Sequence, residues 1–196
     1  MKKVFLNSLL IAGCALIFTA CNNGSESKET KITDTLTANN SESNPNTMKD
    51  TTTMVNSNEF VTKATIGGMT EVELGKLAQK NGGMNDVKEY GKMLETDHAD
   101  ANNKLKSIAA GENIQVPSSM DNEHQMHVTD LQSKTGADFD KAFIDMMLDD
   151  HVKDIAEFKT SASSNPNQKV KDFASQTLPT LQKHLDKAKS IKSKLK

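Results

Sequence analysis

Two segments of the chain repeat one pattern in the middle of long helical stretches, and this repeat constrains the fold more than any other feature. Residues 93–98 read Met-Leu-Glu-Thr-Asp-His, and residues 146–151 read Met-Met-Leu-Asp-Asp-His. A shift of 53 positions aligns the two Asp-His pairs and also aligns Tyr90 with Phe143. Each His falls on the apolar side of a 3.6-residue pattern. The repeat therefore predicts two related helices that each direct one imidazole toward a shared interior.

Apolar and small residues recur at helical spacing in four stretches, and no stretch after the leader alternates like a β-strand. The predicted elements are helix A at about 58–80 with Ser57 or Asn58 as N-cap, helix B at about 86–110 with Asn85 as N-cap, a short helix at about 120–134, helix C at about 138–161, and helix D after the Asn165-Pro166-Asn167 turn with Pro179 inside it. Two helical hairpins joined by a long crossover describe a ferritin-like, up-down four-helix bundle. The predicted fold class is therefore all-α.

Each predicted helix carries one polar side chain on its apolar seam. These residues are Glu71 on A, His98 on B, His151 on C and His184 on D. Because burying an unpaired polar group costs roughly 1–3 kcal/mol, we expect the four to meet one another or a metal at one level of the bundle. Imidazole and carboxylate are the ligands used by zinc, iron and manganese. The sequence therefore predicts a single Zn, Fe or Mn ion held by these four residues.

Three further carboxylates, Glu95, Asp97 and Asp150, are additional candidate ligands. Glu95 precedes His98 by three residues, which is the spacing found in di-iron bundles, but those sites need a second Glu-x-x-His. Leucine occupies the corresponding position before both His151 and His184. The pattern therefore disfavours an oxygen-activating di-iron enzyme.

Other interpretations of the polar seams stay open. Asp97 and Asp150 could close an internal His–carboxylate network that contains no metal. Met93 and Met147, close to the two His residues, would suit a softer metal or a haem, although Met on a core stripe mostly serves packing. His124 and His127, three residues apart, form either a surface metal clip or a solvated pair.

The composition excludes several function classes. There is no Gly-rich phosphate loop, no Gly-x-Ser-x-Gly elbow, no His-Glu-x-x-His pair and no cysteine after Cys21, so no catalytic residue is assigned. The chain has a formal charge of −2 and contains no arginine, the residue best suited to bind phosphates and base edges. We therefore expect no nucleic-acid partner.

The N-terminal segment has the features of an exported lipoprotein. Residues 1–20 contain Lys2-Lys3, an apolar run and a small-residue exit, so they are predicted to be a lipoprotein signal peptide with Cys21 as the lipidated residue. Cys14 is a competing lipidation site with a shorter apolar run before it. Residues 21–56 are polar and predicted to be a disordered tether. We expect the protein to be exported and anchored by lipid to a bacterial membrane, where it faces the periplasm or the cell surface.

The chain resembles the bacterial domain of unknown function 4142 family, whose members are exported and ferritin-like. The matching positions are Phe60-Val61, Gly67-Gly68, Glu71 to Ala78, Met93, Asp97-His98, Leu105, Gly136 to Phe143, His151, Leu178 to Leu181 and His184-Leu185. Phe143 stands where the family most often has Tyr. The resemblance implies the bundle and an envelope location, and it implies no activity.

Two functions follow from the sequence. The first is a metal-binding envelope protein for storage, scavenging or stress protection. The alternative is a non-catalytic structural or protein-interaction module, in which the buried His–carboxylate network fixes the core. The sequence favours either of these functions over an enzymatic one.

Overall fold

The computed structural model describes the backbone of residues 45–195 and the side chains of residues 57–195. The helices are α1 (Pro45–Asn81), α2 (Asn85–Gly111), α3 (Asn122–Gln132), α4 (Gly136–Ser164) and α5 (Gln168–Lys192). No strand occurs in this part of the chain, so the prediction of an all-α fold is confirmed. The predicted signal peptide, the lipidated Cys21 and the predicted tether up to residue 44 lie outside the described residues, whereas residues 45–56 of that tether are helical.

The contacts between helix ends define the topology of the bundle. Gly82, after α1, forms an isolated bridge with Gly136 at the start of α4, and Lys194 pairs with Asp86 at 2.6 Å. At the opposite end, the hydroxyl of Ser57 donates to Asn165 at 2.8 Å. Thus α2 and α4 begin at the same end, and the crossover that contains α3 runs back along the bundle. Helix α1 packs on α2 and α4, and α5 packs on α4 and α2. Two hairpins joined by a long crossover are the predicted ferritin-like arrangement.

Two predicted helix starts are wrong. Helix α1 begins at Pro45 rather than near Asn58, because proline suits the first helical turn and no proline or glycine follows it until residue 67. Ser57 and Asn58 are therefore inside the helix. The N-cap of α2 is Met84 rather than Asn85, and the cap makes no side-chain hydrogen bond of its own.

Glycines allow α1 and α2 to approach closely. A Cβ atom on Gly75 would lie 2.5 Å from the carbonyl oxygen of Gly91, and one on Gly91 would lie 2.7 Å from the carbonyl oxygen of Gly75. Gly68 and Gly67 differ in this respect. A Cβ on Gly68 would lie 2.5 Å from the side chain of Asn102, whereas one on Gly67 would meet nothing within 4 Å. Gly67 therefore borders open space.

The apolar core forms two clusters along the bundle. One includes Phe60, Leu105, Phe158 and Phe173, and the other includes Leu74, Leu94, Phe143, Met147 and Ile191. The half-buried Leu148 packs against both clusters. The predicted polar residues lie on the same seams, so their side chains are enclosed by hydrocarbon.

Asp140 supplies the cap that α2 lacks. It is 1% exposed, and its carboxylate accepts hydrogen bonds from the backbone N–H groups of Gly83 at 2.9 Å and Met84 at 2.8 Å. This contact joins the start of α4 to the start of α2. It also places a carboxylate at the positive end of a helix.

We expect Asp140→Ala to destabilise the protein by roughly 2–4 kcal/mol, because two backbone donors lose a charged acceptor in a buried position. Urea unfolding measures this change. Asp149→Ala is the matched control, since Asp149 is exposed on the same helix. Equal unfolding midpoints for the two variants would contradict the capping role.

None of the helices within the described residues is long and apolar enough to cross a membrane.

Candidate metal centre

The four polar seam residues converge at one level of the bundle, as the sequence predicts. His98 Nδ1 lies 3.0 Å from Glu71 Oε2, and His151 Nδ1 lies 3.4 Å from Glu71 Oε1. His151 Nε2 lies 3.2 Å from His184 Nδ1. One ligand atom from each of the three His residues lies within 4.8 Å of the others. Exposure is at most 7% for all four residues, so the cluster is enclosed.

The outer nitrogen of each imidazole faces a hydrogen-bond acceptor. His98 Nδ1 faces the Glu71 carboxylate, His151 Nδ1 faces the Met147 carbonyl oxygen at 3.0 Å, and His184 Nε2 faces Asp97 Oδ2 at 2.8 Å. A carboxylate or carbonyl oxygen can only accept, so each outer nitrogen must carry the hydrogen. In a neutral imidazole the other nitrogen is then a bare lone pair.

The inner nitrogens of His151 and His184 are therefore two acceptors directed at each other. His151 Nε2 and His184 Nδ1 are 3.2 Å apart with no donor between them once their outer nitrogens hold the hydrogens. His98 Nε2 is buried and has no hydrogen-bond partner among the described residues. Two facing lone pairs repel unless a proton or a metal ion lies between them. A tetrahedral Zn site with Zn–N bonds of about 2.0–2.1 Å would separate its nitrogens by about 3.3 Å, which is close to the observed spacing.

Burial keeps two of the imidazoles neutral. It lowers the pKa of His184 to about 4, and His98 lowers it further while the hydrogen bond to Asp97 raises it. Burial also lowers the pKa of His151, against the attraction of Glu71. Neutral imidazole is the form that binds metal, so at neutral pH these two side chains are in the form that a metal site requires.

Glu71 is the charged member of the cluster. Burial raises its pKa, but the attraction of His98 and His151 outweighs burial and lowers the pKa to about 2. Its Oε1 is buried and makes no hydrogen bond to any described residue. Glu71 lies beside the outer nitrogen of His98 and is not one of the three residues whose ligand atoms converge.

The structure separates the three additional carboxylates. Glu95 is not brought to the cluster, because α2 directs it toward α1, where its Oε2 accepts from Gln79 Nε2 at 2.6 Å. Asp97 contacts His184 through the outer nitrogen. Asp150 is half-buried beside the cluster, and burial and the nearby Glu71 raise its pKa.

A cavity of about 310 Å³ leads from the cluster toward the crossover. Glu71 and His98 line its inner part, and Asp154, His124 and His127 line it further out. The sequence alone indicates no role for Asp154 and favours a surface position for His124 and His127. The spacing His151-x-x-Asp154, one turn along α4, was the available signal, since such pairs share a helix face.

Asp154 gives a pH-dependent prediction. Burial, then the charge of Glu71, raises its pKa to about 8. Between pH 4 and 8 the folded state therefore holds more protons than the unfolded state, so Asp154 lowers stability as pH rises. We expect the free energy of unfolding of Asp154→Asn, relative to that of wild type, to rise by about 1–2 kcal/mol between pH 5 and pH 8. Urea unfolding in the presence of chelator measures this difference. The matched control is Asp149→Asn, and a pH-independent difference for Asp154→Asn would contradict the prediction.

The fold and the cluster define a helical-bundle protein with a buried three-histidine centre. A model of the family described as Domain of unknown function (DUF4142) matches residues 42–191, which is more than half of the chain. The chain therefore belongs to this family. No curated protein and no solved structure shows significant similarity to this chain.

Proposed function

We propose that this protein binds one divalent transition-metal ion through the inner nitrogens of His98, His151 and His184. The observation that carries the proposal is the arrangement of hydrogens: all three outer nitrogens face acceptors, so the other nitrogen of each buried imidazole is a bare lone pair. One ligand atom of each imidazole lies within 4.8 Å of the others. Histidine ligands of metals in proteins are held in this way, by a carboxylate or a carbonyl on the other nitrogen. Zinc and iron match three imidazoles better than manganese, which prefers oxygen ligands.

Glu71 has a different role in this proposal from the one predicted by the sequence. It orients His98 and supplies a negative charge beside the ion, rather than forming a direct bond to it. An ion held by the three imidazoles would lie beside the cavity that Glu71 and His98 line. A position open to a cavity allows exchange of the metal or of a bound small molecule.

The proposed cellular role combines the metal centre with the N-terminal features. The basic start, the apolar run and Cys21 support export and a lipid anchor. A metal-binding domain held at a bacterial membrane would serve metal storage, scavenging or protection from metal-driven stress. The site assigns no substrate and no reaction.

Elemental analysis and Zn²⁺ titration of the purified full-length chain test the proposal. We expect one equivalent of metal in wild type, and its loss in the His98→Ala/His151→Ala double variant. His124→Ala/His127→Ala is the matched control, because it removes two imidazoles outside the cluster. Wild type without stoichiometric metal, and with an affinity no tighter than micromolar, would overturn the proposed function.

A further inference from the structure

The cavity beside the cluster has an unusual charge. Six carboxylate side chains and two lysines line it, whereas the whole chain has a formal charge of only −2. The acidic residues are Glu71, Asp121, Glu123, Asp150, Asp154 and Glu157. Clefts lined by one sign of charge and low-dielectric walls concentrate ions of the opposite sign. The cavity is therefore suited to attract cations.

The two lysines pair only loosely with the carboxylates that line the cavity. Lys63 pairs with Glu59 at 2.7 Å, and its distance to Glu157 is 3.7 Å. Lys153 is 76% exposed at its side chain and lies 3.7 Å from Asp150. Among the described residues, Asp154 makes neither an ion pair nor a hydrogen bond.

A second observation at the inner end of the cavity points to a cation. Glu71 is 4% exposed and its Oε1 has no hydrogen-bond partner among the described residues. His98 is 7% exposed and lines the same space, and its Nε2 is likewise without a partner among the described residues. A buried, ionised carboxylate oxygen without a partner is costly unless a positive ion can reach it.

We propose that this cavity is the path by which a divalent cation enters and leaves the three-histidine centre, and that Asp150 and Asp154 bind the ion in passage. The inference rests on the proposed function. Both residues lie on α4 beside His151, so an ion released by them is already next to the cluster. Carboxylates exchange such ions readily, whereas the imidazoles hold them.

Gly67 gives the path a second, steric test. It lines the cavity, and a Cβ there would meet nothing within 4 Å. Gly67→Leu therefore places a side chain in open space bordering the path. Gly67→Ala is its matched control, because it adds only the Cβ.

The experiment follows the visible absorption of Co²⁺ as it binds to the full-length chain in a stopped-flow instrument. We expect at least a tenfold slower association in Asp150→Asn/Asp154→Asn and in Gly67→Leu, with the spectrum of the three-histidine site reached at the end. Asp149→Asn removes one carboxyl group from the exposed face of α4. We expect this variant and Gly67→Ala to load at the wild-type rate. Added salt should slow wild type more than the double variant.

The outcomes separate the two proposals. Loading of both test variants at the wild-type rate would overturn the entry path and leave the metal centre intact. If wild type gives no Co²⁺ spectrum, the proposed function fails and the entry path fails with it.

Discussion

Zn²⁺ at a thousand times its dissociation constant should raise the free energy of unfolding of wild type by about 4 kcal/mol. The gain arises because the folded chain brings three imidazoles together and the unfolded chain does not. His151→Leu should lose the whole gain, since it removes one of the three proposed ligands and places an apolar side chain in a fully buried position. Thermal or urea unfolding with Zn²⁺ and with chelator measures both values.

The chelator arm distinguishes a metal centre from a structural network. In the metal-free protein His151 Nε2 and His184 Nδ1 face each other as acceptors, so leucine at position 151 removes an unfavourable contact. We expect His151→Leu in chelator to be no less stable than wild type. A network that exists to fix the core predicts instead a loss of about 2–4 kcal/mol with or without metal. That second result would contradict the metal centre.

The fold was predictable because apolar residues at helical spacing mark the buried face of each helix. The seams of helices A to D contain the residues that pack in the core, and one polar residue per seam was enough to predict the shared level. The turn at Asn165-Pro166-Asn167 was also predictable, and Asn167 caps α5 by accepting from Val170 N at 3.1 Å. These features depend on local spacing, which a sequence displays directly.

The features that could not be predicted from the sequence depend on contacts between residues that are far apart in the chain. The cap of α2 comes from Asp140, 57 residues after the Gly83 it contacts, and no local pattern marks it. Spacing within one helix also cannot reveal which nitrogen of an imidazole meets an acceptor. Glu71 was therefore predicted as a ligand, although the structure sets it at an outer nitrogen.

The internal repeat illustrates the same limit. Asp97 and Asp150 are equivalent in the 53-residue alignment, but they meet different neighbours because α2 packs against α5 and α4 packs against α1. Asp97 accepts from His184, whereas Asp150 lines the cavity. Repeated sequence thus supplied one carboxylate that orients a ligand and another that we assign to the path of the ion.

The protonation of His184 should make the free energy of unfolding depend on pH. Burial lowers its pKa from 6.5 to about 4 in the folded chain, so between these pH values the unfolded state binds more protons. The contribution of His184 to stability is therefore present above pH 6.5 and is lost as pH falls toward 4. From pH 7 to pH 5 the expected loss is about 2 kcal/mol.

His184→Gln isolates this contribution, because glutamine can still donate to Asp97 but does not titrate. Urea unfolding in chelator at pH 7 and at pH 5 gives the difference in stability between wild type and variant. We expect the free energy of unfolding of the variant, relative to that of wild type, to rise by about 2 kcal/mol as pH falls from 7 to 5. Only wild type has a histidine at this position that takes up a proton on unfolding. A difference that is constant from pH 7 to pH 5 would mean that His184 accepts a proton in the folded chain, and the inward lone pair on which the metal centre depends would then be occupied.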